Sequence, residues 1–219
     1  MGEMLQLTAE DGHTFGAYRA DPSGKPKGAV VVMQEIFGVN NHIRSVCDGY
    51  AQEGFVTIAP AVFDRIEKNV ELGYDEDGFG KGRAIVGELG FDGPIKDVAA
   101  AREAVAGAGP VFGVGYCWGG TLAWLAATRL GIPSAGYYGG RTAAMKDEVP
   151  KAPVMLHFGE HDHAIPMTDV EAIGTLHPYL PIHVYDAGHG FNCDERDSWD
   201  ETSAKLALKR TLAFYDALI

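Results

Sequence analysis

Residues 110–127 read PVFGVGYCWGGTLAWLAA, and this stretch decides the fold. Its first residues form the apolar run of a buried strand, and its last seven have the composition of a buried helix. Between them lies Gly115-Tyr116-Cys117-Trp118-Gly119, the pattern of a sharp strand-to-helix turn with a thiol where a hydroxyl usually stands. Glycines let chains pass closely around the central residue. We therefore predict that Cys117 is a nucleophile at a helix N-terminus, whose partial positive charge favours the thiolate.

Strand-like and helix-like segments alternate outward from this turn. Strands are predicted at residues 4–8, 14–19, 29–33, 55–59, 110–115, 134–138, 153–158 and 181–185, and helices at 43–53, 94–105, 167–175 and 200–218. Residues 61–92 contain six glycines from Gly73 to Gly90, too many to predict a regular core element, and are expected to help wall the active site. The alternation predicts a mostly parallel central sheet with helices on both faces. Together with the turn around Cys117, it predicts a single-domain α/β-hydrolase fold over residues 1–219.

Composition excludes several classes of function. The chain has 219 residues, 46% hydrophobic and 22% charged, and a formal net charge of −12, which opposes binding to nucleic acid or anionic membranes. Three cysteines without a C-x-x-C pair suit a reducing compartment. Neither a signal peptide nor a membrane-spanning stretch is recognisable. We expect a cytoplasmic protein.

A nucleophile in this fold needs a histidine within hydrogen-bond reach and a carboxylate that fixes its tautomer, in the order nucleophile, acid, histidine. Asp162 follows the predicted strand 153–158, and His189 follows the next one, 181–185. Either residue alone has an ordinary alternative, as a helix cap or a packing residue. Together, in the required order and at strand ends, they predict a triad of Cys117, Asp162 and His189.

The oxyanion hole is predicted from two backbone N–H groups. The fold takes one from the residue after the nucleophile, here Trp118, and one from the loop after an earlier strand, here Ile36 in the segment Gln34-Glu35-Ile36-Phe37-Gly38. Glu35 is either an ordinary exposed charge or, if it points inward, a carboxylate near the thiol.

These segments together resemble the dienelactone hydrolase family, over nearly the whole chain. The resemblance rests on residues 11–17, 34–40, 114–120, 136–139 and 187–191, which read DGHTFGA, QEIFGVN, VGYCWGG, GYYG and AGHGF. It implies the triad of Cys117, His189 and Asp162, and a resting state in which Glu35 contacts the thiol. It also implies hydrolysis of a lactone or ester through an acyl-thioester, without a cofactor, on a small-molecule substrate.

The sequence departs from that family where the substrate carboxylate is held. The archetypal enzyme uses two arginines, one shortly after the catalytic histidine, where this chain has Phe191-Asn192-Cys193. For the other, only Lys81 and Arg83 are nearby cations, and a gapless alignment puts neither on the expected position. Arg83 is a candidate to bind an anion, with Phe37 as a second substrate-binding residue. Arg83 is equally consistent with an exposed cation at a helix end.

Two rival interpretations remain open. A zinc site would use the possible ligands His157, His161, Asp162 and His163, but their spacing matches no structural zinc motif. A non-catalytic relative would bind a ligand or respond to oxidation through Cys117. Structural or incidental roles are expected for Cys47 and Cys193. The chain is expected to be a monomer or a small homo-oligomer.

Overall fold

The computed structural model describes residues 2–219. The chain divides into two units, one ending at Gly113 and the other covering Val114–Ile219. The boundary lies inside the strand that leads to Cys117. One domain over residues 1–219 therefore stays a prediction.

The first unit contains four complete strands and three α-helices among its described residues. They are β1 (Glu3–Thr8), β2 (Thr14–Ala20), β3 (Gly28–Met33), α1 (Asn41–Gln52), β4 (Phe55–Pro60), α2 (Glu76–Leu89) and α3 (Asp92–Val105). The strand order is β1-β2-β4-β3; β1 and β2 pair antiparallel, and β3 and β4 run parallel. Every residue of β3 and β4 is buried, as their continuous apolar runs predict.

The second unit follows the same alternation. Its elements are β5 (Val111–Tyr116), which crosses the boundary, α4 (Trp118–Leu130), β6 (Ser134–Tyr137), β7 (Val154–Gly159), α5 (Met167–Leu176), β8 (Ile182–Tyr185) and α6 (Glu201–Asp216). The strand order is β5-β6-β7-β8, and β6, β7 and β8 run parallel. The loops after parallel strands meet at one edge of a sheet, which brings the segments after β7 and β8 together.

The predicted elements agree with the structure to within about two residues, the usual uncertainty of element ends. The exception is the glycine-rich segment: the expectation of no regular element there is wrong, because α2 occupies residues 76–89. Asp75 caps it by accepting the N–H of Gly78 at 2.8 Å. A Cβ on Gly82 would lie 2.1 Å from the carbonyl oxygen of Ile36. Such glycines permit close packing and do not break the helix.

Across residues 2–219, the structure offers no helix with the length and hydropathy that a bilayer crossing demands.

Candidate active site

Cys117, the predicted nucleophile, lies in a strained turn. Cys117 has φ +54° and ψ −119°, a backbone conformation that residues other than glycine rarely adopt. Glycine is required around it: a Cβ on Gly115 would lie 1.8 Å from the carbonyl oxygen of Gly119, and one on Gly120 2.4 Å from that of Tyr137. The N–H of Cys117 donates to that same Tyr137 oxygen at 3.0 Å. The turn leaves the thiol partly exposed, as a reactive cysteine needs.

The other two predicted triad residues lie in contact with it. His189 Nε2 is 3.1 Å from Cys117 Sγ, and His189 Nδ1 is 2.7 Å from Asp162 Oδ2. The second carboxylate oxygen, Oδ1, accepts the N–H of Ala164 at 2.8 Å, so both oxygens of Asp162 are engaged. The loops after β5, β7 and β8 thus bring thiol, carboxylate and imidazole into one hydrogen-bonded row.

The electrostatics of this row favour a protonated imidazole. Burial alone would lower the pKa of His189, but the hydrogen bonds with Asp162 and with the Cys117 sulfur outweigh burial and raise the pKa to about 10. Both ring nitrogens then carry protons, one directed to the buried carboxylate and one to the sulfur.

Trp118 is the first residue of α4 and directly follows Cys117. The first N–H groups of a helix have no partner within the helix and lie at the positive end of its dipole. The backbone of Trp118 therefore has the character that an oxyanion donor requires. Its role as donor stays a prediction.

One aromatic side chain, that of Tyr138, packs against the imidazole. The ring of Tyr138 lies 5.1 Å from that of His189, and the ring of Phe191 lies 5.2 Å from that of Tyr138 in an edge contact. Tyr138 is fully buried and has φ +38°, a strained conformation of the kind found at functional sites. Sequence reasoning gave Tyr138 no role, although its place directly after β6 was a usable signal.

In the first unit, Glu35 is a buried carboxylate. This excludes the alternative of an ordinary exposed charge. Its Oε2 accepts the hydroxyl proton of Tyr74 at 2.9 Å, and Tyr74 also accepts a bond from the amide of Asn40 at 3.3 Å. Sequence reasoning missed Tyr74, which lies 39 residues from its partner. Contact of Glu35 with the thiol stays a prediction.

The predicted substrate-binding residues differ in environment. Phe37 is buried and packs against the rings of Tyr74 and Phe79, with centroids 4.5 Å and 5.0 Å away. Arg83 is exposed on α2, and its guanidinium carbon lies 5.8 Å from the centroid of Phe79. Substrate binding by Phe37 and Arg83 stays a prediction.

Two histidines of the rival zinc interpretation, His157 and His161, have other partners. Both ring nitrogens of His157 are hydrogen-bonded in the core, to Tyr185 Oη at 2.8 Å and to Thr211 Oγ1 at 3.1 Å. Burial holds the pKa of His157 well below its usual value. His161 Nε2 lies 2.6 Å from Asp186 on the surface. Asp162 is hydrogen-bonded to His189. Among residues 2–219, these four side chains do not form a group whose ligand atoms are close enough to hold one ion.

The two remaining cysteines are buried and free of disulfides. Burial raises the pKa of the Cys47 thiol well above its usual range, which makes it unreactive. Cys193 lies in the turn after His189, where its N–H donates to the carbonyl of Gly190 at 2.9 Å. Structural or incidental roles for both stay predictions.

Comparison with known proteins agrees with the resemblance. The profile of the dienelactone hydrolase family matches residues 15–219. A carboxymethylenebutenolidase from Pseudomonas putida is 32% identical over 224 residues, covering 97% of this chain and 95% of that protein. Carboxymethylenebutenolidase 1 from Cupriavidus pinatubonensis is 30% identical over 226 residues, with coverage of 97% and 95%.

Solved structures agree as well. A candidate dienelactone hydrolase from Klebsiella pneumoniae superposes with a TM-score of 0.82 at 29% identity, covering 98% of this chain and 99% of that one. This likeness confirms the predicted α/β-hydrolase fold class. The chain therefore belongs to the dienelactone hydrolase family of lactone and ester hydrolases.

Proposed function

We propose that this protein hydrolyses a small-molecule lactone or carboxylic ester with Cys117 as the nucleophile, through an acyl-thioester. One observation carries the proposal: the sulfur, imidazole and carboxylate form a continuous row at 3.1 Å and 2.7 Å. These distances lie within the reach that a nucleophile and its base require. A complete triad favours catalysis over the non-catalytic alternative.

In the first half-reaction, the Cys117 thiolate attacks the carbonyl carbon, and the carbonyl electron pair moves onto oxygen. The N–H groups of Trp118 and Ile36 are the proposed donors to this oxyanion. When the tetrahedral intermediate collapses, the carbon–oxygen bond of the ester breaks and the leaving oxygen takes the proton from His189 Nε2. With a lactone, the leaving group stays attached to the acyl chain.

In the second half-reaction, the now neutral His189 takes a proton from water while the water oxygen attacks the thioester. Asp162 keeps the Nδ1 proton in place and stabilises the imidazolium that forms. Collapse of the second tetrahedral intermediate breaks the carbon–sulfur bond and regenerates the thiolate beside a protonated His189. The products are a carboxylate and an alcohol, or a hydroxy acid from a lactone.

Glu35 is proposed to contact the thiol at rest and to yield to substrate as the thiolate forms. The hydroxyl of Tyr74 donates a hydrogen bond to this carboxylate, which gives Glu35 a partner besides the thiol. This chain lacks the arginine that the family has after the catalytic histidine. Arg83 and Phe37 are proposed to bind substrate.

Hydrolysis of p-nitrophenyl acetate tests the proposal. The wild type should release a burst of p-nitrophenol of about one equivalent per active site, followed by slower turnover. Cys117→Ala and His189→Ala should each lower kcat by about 10³-fold or more. His161→Ala is the matched control, because this exposed histidine also pairs with an aspartate and should leave the rate unchanged. Wild-type rates in the two triad variants would overturn the proposal.

A further inference from the structure

Residues 34–38 are here termed the oxyanion loop. A side chain of this loop, that of Gln34, is hydrogen-bonded to the backbone of the loop. The buried amide of Gln34 donates through Nε2 to the carbonyl oxygen of Glu35 at 3.3 Å. That carbonyl belongs to the same peptide group as the N–H of Ile36. Because a trans peptide is planar, its C=O and N–H point in opposite directions. Holding the Glu35 oxygen therefore sets the direction of the Ile36 N–H.

Helix α2 packs against the next peptide group, the one that joins Ile36 and Phe37. A Cβ on Gly82 would lie 2.1 Å from the Ile36 carbonyl oxygen and 3.1 Å from the carbonyl carbon. Real Cβ contacts are not that short, so only glycine allows this approach. The obstacle is backbone, which cannot rotate away as a side-chain tip can. Helix and loop are thus in direct contact at Ile36.

The segment before α2 holds the end of the loop. The N–H of Leu72 donates to the carbonyl of Phe37 at 2.9 Å. Gly38 has φ +78°, and a Cβ on it would lie 1.8 Å from the carbonyl oxygen of Val70. Residues 70–89 therefore contact three consecutive residues of the loop.

We propose that Gln34 and Gly82 are positioning residues that keep the Ile36 N–H aimed at the oxyanion, with residues 70–89 as the template for the loop. The inference rests on the proposed role of Ile36 as a donor. An oxyanion donor works only within a narrow range of position, and loss of one such donor costs about 10²–10³-fold in rate. A rotated peptide would present the carbonyl oxygen of Glu35, which repels negative charge.

Two reactions of the Cys117 sulfur distinguish misplacement of the Ile36 N–H from a general disturbance of the site. Acylation of Cys117 by p-nitrophenyl acetate passes through a tetrahedral oxyanion, whereas alkylation by iodoacetamide is a direct displacement that forms none. Gly82→Ala should slow acylation by about 10–10³-fold and leave alkylation within about 3-fold. Gly87→Ala is the matched control: it lies on the same helix with no atom within 4 Å of the added Cβ, so both rates should match the wild type.

Gln34→Met provides the second test, since it keeps the length and the buried packing but removes the donor. Its acylation should fall by about 10-fold or more while alkylation stays at the wild-type rate. Wild-type acylation in either variant, or a parallel loss of both reactions, would overturn the proposal. Failure of the proposed function is a different result: it would appear as an intact burst in Cys117→Ala.

Discussion

Replacing Asp162 by Asn removes the charge that His189 faces and keeps the size of the side chain. The lost interaction is a buried, charge-assisted hydrogen bond of 2.7 Å, worth about 1.5–3 kcal/mol. At 1.36 kcal/mol per pKa unit, the pKa of His189 should fall from about 10 by about 1–2. The same energy predicts a loss of about 10–150-fold in kcat/KM for a lactone.

The leaving group makes this prediction specific. A lactone expels an alkoxide that needs the His189 proton, whereas p-nitrophenolate leaves without one. Asp162→Asn should therefore slow acylation by a lactone more than acylation by p-nitrophenyl acetate. The alkaline limb of the lactone pH profile should move down with the pKa of His189.

The assay measures kcat/KM for both substrates across the pH range, with Asp186→Asn as the control. Asp186 forms a 2.6 Å pair with His161, but that pair is exposed and should contribute little. A loss below about 3-fold in Asp162→Asn, or an alkaline limb that does not move, would refute the assigned role of the carboxylate.

Three further predictions concern stability and substrate binding. His189 has a folded-state pKa raised above 6.5, to about 10. Its contribution to the free energy of unfolding should therefore be full below about pH 6.5 and be lost as the pH rises through about 10. Urea unfolding should show that the difference in this free energy between wild type and His189→Gln shrinks from pH 6.5 to about 10. Arg83→Ala should raise KM for a lactone bearing a carboxylate by about 10-fold and leave a neutral ester unaffected, whereas Lys81→Ala, which breaks only the exposed pair with Glu67, should change neither. Asn40→Ala removes the side chain that caps α1 and should lower the free energy of unfolding by about 1 kcal/mol, read from urea titration.

The contacts of His189 with Cys117 and Asp162 could be predicted because each of the three residues lies in a local sequence pattern. Gly115 and Gly119 mark the turn, and Asp162 and His189 directly follow apolar runs long enough to be strands. Their proximity then follows because the loops after parallel strands lie at the same edge of a sheet. No contact between residues distant in sequence had to be known in advance.

The contacts that hold the oxyanion loop could not be predicted in this way. Gly82 looks like a helix breaker in sequence, and its reason for being glycine is a carbonyl 46 residues earlier, that of Ile36. Tyr74 looks like an ordinary loop tyrosine until its bond to Glu35 is seen. Such roles depend on tertiary approach, which local pattern and propensity do not encode.

The most direct test of the central claim is to locate the acyl group. The wild type, mixed with p-nitrophenyl acetate and quenched in acid during the burst, should carry one acetyl group, and peptide mass spectrometry should place it on Cys117. Hydroxylamine should remove the label, as expected for a thioester. An acetyl group on Cys193 or on another residue, with Cys117 unlabelled while the burst proceeds, would contradict the account.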